Sequence, residues 1–170
     1  MPSLVELIAQ ADERGLAASG LACLDRCLPL LDAPDDALRP LWASLAEGEC
    51  WRVPLGLVRD ALPGPAAPGH GSGDAAALAL RMLAAVPAER SGPGLREWAD
   101  ACSAAALQIH RGLDVAGDGP LAAGELQRQI RVLELLAGRG VGGLRQAVDV
   151  STEGRRIVRA VVSRRARGRV

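Results

Sequence analysis

Apolar positions recur at helical spacing along the whole chain, and nowhere do they alternate as a half-buried strand requires. Ser3 followed by Glu6 reads as a capping box ahead of Leu4, Leu7, Ile8 and Ala11, which predicts a first helix. Leu21, Leu24, Cys27, Leu28 and Leu31 share one side of a second, which kinks or stops near Pro29; Asp32, Ala33 and Pro34 make the turn. A third carries Leu38, Leu41, Trp42 and Leu45, with Pro40 opening or kinking it and Gly48 ending it. A short fourth spans about Pro54 to Leu62.

Asp74 caps a fifth helix that turns Leu78, Met82 and Leu83 inward and closes between Pro87 and Gly94. The sixth is the clearest: Leu95, Trp98, Cys102, Ala105, Ala106, Ile109 and Leu113 form one stripe, with Arg96, Glu97, Asp100, Gln108 and Arg111 opposite. A seventh begins at Pro120, presents Leu126, Ile130, Leu133 and Ala137 to the core and ends at Gly138. Leu144 to Val148 make a short helix, a turn follows at Asp149 and Val150, and Ser151 caps a last helix with Ile157, Val158, Val161 and Val162 as its docking face.

These elements predict an all-α fold, a compact bundle of seven to eight helices. Residues 63–74, rich in Pro and Gly, read as a flexible linker. Residues 1–163 are expected to form a single helical domain, with 1–62 and 75–163 as candidate subdomains. Arg164 and Arg165 fall on the docking face of the last helix, where unpaired charge is costly to bury, so 164–170 are expected to leave the core as a disordered Arg-rich tail. No internal repeat is present.

Composition narrows the chemistry. The chain has no Lys, Phe, Tyr or Asn and a single Thr, Thr152, so core volume rests on Ala, Leu and Val and helices can approach near the lower end of the usual ~8–10 Å spacing. Such contacts favour tight bundles and helix-mediated dimers. All twenty basic residues are Arg, in company with abundant Ala, Gly and Pro, a pattern of GC-rich coding that makes any one Arg weak evidence for a phosphate site. A chain of this length buries roughly 70% of its unfolded surface and needs no staples. The N-terminus lacks a basic segment ahead of an apolar run, and no stretch of about 18 apolar residues occurs, so the expected location is cytoplasmic.

Cys23 and Cys27, four apart on one helix, could offer two thiolates to a soft metal, but Cys27 lies within a leucine stripe and Cys102 within that of helix six. Buried reduced thiols are expected, with no metal and no cofactor. His110 reads as a surface histidine paired with Asp114 one turn on; His70 falls in the linker. The glycines at 69, 71 and 73, and at 138, 140, 142 and 143, lack the preceding strand that a phosphate loop requires. No carboxylate pair and no serine context points to catalysis, so no catalytic residue is assigned.

Charge is the one asymmetry. Arg155, Arg156, Arg159, Arg164, Arg165, Arg167 and Arg169 meet no acid after residue 154, so a C-terminal +7 balances −7 elsewhere. The sequence thus points to a non-catalytic helical interaction protein, a scaffold or regulatory subunit that works through helix faces and self-associates. The alternative is a nucleic-acid-binding regulator that uses these arginines, with residues 144–162 laid out as an imperfect helix-turn-helix. No membrane association is expected.

Overall fold

Eight α-helices and one 3-10 turn, with no strand, make up the computed structural model among its described residues, 1–62, 73–115, 119–138 and 140–168. They are α1 (Leu4–Gln10), α2 (Glu13–Arg26), the 3-10 turn (Leu28–Leu31), α3 (Arg39–Glu47), α4 (Arg52–Ala61), α5 (Gly73–Ala84), α6 (Gly92–Leu113), α7 (Pro120–Gly138) and α8 (Gly140–Arg167). The Ser3–Glu6 capping box forms, Asp12 caps α2 through the Gly15 N–H, and Gly48 closes α3 with a left-handed φ of 70°.

Helix α2 is the axis of the bundle. Every residue from Gly15 to Arg26 is buried, because α6, α7 and α8 all pack against it. Gly20 admits one of these contacts: a Cβ there would lie within 3 Å of the Trp98 ring of α6. Trp98 stacks edge-on against Trp51 with centroids 6.0 Å apart, and its indole N–H donates to Met82 O of α5. One apolar core runs from Leu7 through Trp51 and Trp98 to Val161, so it includes residues from both sides of segment 63–74. Most of that segment, including His70, lies outside the described residues.

Three expectations are corrected. No turn interrupts residues 149–151: α8 is one helix from Gly140 to Arg167, and Ser151, rather than capping a helix, is buried within it and donates from Oγ to Ala147 O. That removes the helix-turn-helix layout. The buried positions Leu144, Ala147, Ser151, Gly154, Val158 and Val161 form an unbroken stripe three and four residues apart. Second, helix also continues through residues 164–167, where a disordered tail is expected. Third, the inward face of α7 is shifted: Leu133 is buried as expected, but Glu125, Gln129 and Val132 also face the core, Leu126 and Ile130 are half-buried, and Ala137 is exposed. The cause is a charge on α2.

Candidate functional site

Arg26, in the last turn of α2, is 0% exposed. Its guanidinium grips Glu125 of α7 with two hydrogen bonds, Nε to Oε2 and Nη2 to Oε1, both 2.8 Å. Glu125 Oε1 also accepts from Gln129 Nε2 at 3.0 Å. Gln129 in turn accepts at Oε1 from Ser103 Oγ of α6 at 2.5 Å and donates to Ser103 O at 3.2 Å. Arg26 Nη2 makes a further contact of 3.6 Å to Cys23 Sγ. The network therefore pins α2, α6 and α7 together through side chains that water does not reach.

His110 joins this network, contrary to its expected surface position, at 1% exposure. Its Nδ1 lies 2.7 Å from Ala106 O, and its Nε2 lies 3.5 Å from Glu125 Oε2. Asp114 has another task than pairing one turn along the helix. It accepts from the N–H groups of Gly119, Leu121 and Ala122, each at 3.0 Å, and so caps the start of α7.

Burial and partners pull against one another here. Burial raises the Glu125 carboxyl, but Arg26 outweighs it, with help from His110 and Gln129, and holds the group below the usual carboxylate range. Burial opposes the Arg26 charge too, yet Glu125 pushes the guanidinium above its ordinary value. At the Cys23 and Cys27 thiols burial outweighs the lowering by Arg26. Burial pushes Cys23 up to about 12 and Cys27 and Cys102 well above the ordinary thiol range, so all three are protonated and poor nucleophiles at neutral pH.

A second ionic cluster fastens α8. Asp25, beside Arg26 on α2, accepts from the Trp42 indole N–H at 2.9 Å and pairs with Arg155. Arg155 Nε and Arg159 Nη2 reach Asp35 Oδ1 at 3.5 and 2.5 Å. Burial raises the Asp25 carboxyl above its ordinary value despite Arg155 and Trp42.

The seven C-terminal arginines therefore divide. Arg155 and Arg159 hold the acids of α2 and the turn after it, and Arg165 donates to the carbonyls of Gly112 and Leu113 at 3.1 Å, closing the end of α6. Arg96 and Arg59 do the same for α1 and α5, through Ile8 O and through Leu83, Ala84 and Val86 O. Arg156, Arg164 and Arg167 are exposed and make no ion pair among the described residues. Arg169 lies outside them.

No family model, curated protein or solved structure matches the chain. Its chemistry is read from its own geometry alone. Among the described residues no group of three His, Cys, Asp or Glu side chains is disposed to hold a metal, and no helix is long and apolar enough to cross a membrane. A cavity of about 230 Å³ opens between α1, α2 and α7, lined by Leu7, Gln10, Ala11, Asp12, Gly15, Leu133, Leu136 and Ala137. Asp12, its one acid, is committed to capping α2. Sequence reasoning missed Arg26, Glu125, Gln129 and Ser103 altogether; the available signal was Glu125 and Gln129, two polar residues one helical turn apart on α7.

Proposed function

We propose that the chain is a non-catalytic helical interaction protein, a scaffold or regulatory subunit that self-associates through a helix face. The observation that carries this reading is on α4. Val53 and Leu57, one turn apart, are 73% and 61% exposed, while Leu55 and Val58 on the other side of the same helix are buried. Gly56 between them faces open space. Exposed aliphatic side chains in register along one helix offer a surface that another helix can cover. The chain's formal net charge of zero leaves two copies without bulk repulsion. The non-catalytic part of the reading rests on burial: the cluster that gathers an acid, a base and thiols is buried inside helix interfaces, and none of its side chains lines the cavity between α1, α2 and α7.

Sedimentation equilibrium over low to high micromolar concentrations tests it. The mass should rise with concentration, and Val53→Glu with Leu57→Glu should abolish that rise without loss of helicity. A monomeric mass throughout would sink the reading. The alternative, nucleic-acid binding by α8, is favoured by the exposure of Arg156, Arg164 and Arg167. It is weakened by the internal employment of Arg155, Arg159 and Arg165.

A further inference from the structure

His110 and Glu125 face each other across the α6–α7 interface with a proton missing from the hydrogen-bond pattern. Ala106 O, 2.7 Å from His110 Nδ1, can only accept, so Nδ1 carries a hydrogen. The other ring nitrogen, Nε2, is buried without a hydrogen-bond partner, and Glu125 Oε2 stands 3.5 Å away. The Glu125 carboxylate, gripped by Arg26 and Gln129 N–H groups, can also only accept. A neutral imidazole would therefore point its lone pair at a carboxylate inside the core. A proton on Nε2 turns that repulsion into a charge-assisted hydrogen bond after an approach of a few tenths of an ångström.

We propose that His110 Nε2 and Glu125 Oε2 form a proton-binding site within the core, occupied in the folded protein, whose emptying loosens α6 from α7. The surroundings bear on it from every side. Glu125 of α7 and Asp114 after α6 favour the cation, as does the carbonyl end of α6, in whose last turn His110 lies. Arg26 of α2 opposes it across Glu125, and Arg165 of α8 opposes it from the Gly112 and Leu113 carbonyls. Helices α1 and α5 meet α6 at Arg96 and Trp98, more than three turns away. The α6–α7 contact holds only while the proton lies between Nε2 and Oε2, so the proposal expects stability at lower pH and its loss with rising pH.

Two measurements on the full chain decide it, both in a His70→Gln background that leaves His110 as the one histidine. Nitrogen NMR of the ring at neutral pH should show both nitrogens protonated; one protonated and one bare nitrogen would overturn the proposal. Urea midpoints taken from about pH 6 to about pH 8 should fall with rising pH, and His110→Gln should flatten that slope. Parallel profiles with and without His110 would overturn it too. Should the Gln variant fail to fold, the ring spectrum of the parent decides alone.

Discussion

Gly154 of α8 lies directly against the stem of Arg26: a Cβ at position 154 would stand within 3 Å of both Arg26 Cδ and Cγ, with Arg128 Cδ 3.1 Å away. A guanidinium can be buried at this crossing because α8 has no side chain there. Alanine is the better helix former by about 1 kcal/mol, yet Gly154→Ala should lower stability by about 1–3 kcal/mol because the stem of Arg26 has no room to yield. Urea denaturation checks this; an unchanged or raised midpoint would show that Arg26 can move aside.

The Arg26–Glu125 pair should behave as a unit. Arg26→Leu or Glu125→Leu alone leaves a buried, unpaired charge and should cost about 3–5 kcal/mol, whereas the double replacement should cost far less than the sum. A thermodynamic cycle from chemical denaturation supplies the coupling. Additive losses would mean that the two side chains do not meet.

Thiol labelling reads the interior directly. Cys50 is exposed and Cys23, Cys27 and Cys102 are buried, protonated groups. The native protein should take up one equivalent of a maleimide or iodoacetamide quickly and the other three only on unfolding. Rapid reaction at Cys23 or Cys102 would contradict the packing around α2.

Acid should weaken the fold through Glu125. Its carboxyl is held down in the folded state, so its contribution is present above the unfolded value near 4.3 and is lost as pH falls through the lower, folded one. Asp25, raised by burial, runs the other way and softens the loss. A midpoint that stayed level below pH ~4 would show that the Arg26 grip is weaker than its geometry.

The C-terminal arginines separate structure from binding. Arg155→Ala leaves Asp25 buried without its cation and should cost about 3 kcal/mol. Deletion of residues 164–170 removes Arg165 from the end of α6 and should cost about 1 kcal/mol, more than the near-zero change expected of a solvated tail. With Arg156, Arg164 and Arg167 the C-terminal arginines without an ion pair among the described residues, duplex DNA binding through α8 should show a logarithmic salt slope no steeper than about −3, at about −0.9 per contact. A slope twice that would move the nucleic-acid reading to first place.

Much of the helical framework was legible because period and caps agreed: the Ser3–Glu6 box, the α6 stripe through Trp98 and Cys102, and Gly48 at the end of α3 all stand as read. The break assigned at Ser151 arose because two stripe positions of α8 carry no apolar bulk: Ser151 satisfies its hydroxyl on its own helix, and Gly154 makes room for Arg26. Around α2 periodicity named one face, that of Leu21, Leu24 and Cys27, whereas every side from Gly15 to Arg26 is covered. His110 and Glu125 were illegible for a different reason: a buried charge shows itself only through its partner, and Arg26 is 99 positions from Glu125 along the chain.

That separation also sets the order of assembly. Helix α2 leaves the ribosome long before Glu125 and Arg155, the partners of Arg26 and Asp25, the latter 130 positions apart. Until both emerge, Arg26 lacks its carboxylate and Asp25, though within reach of the Trp42 indole, lacks its cation, so burying the end of α2 stays costly. Closure of this bundle should therefore wait for α8, and nascent chains stalled before residue 155 should remain accessible to protease along α2.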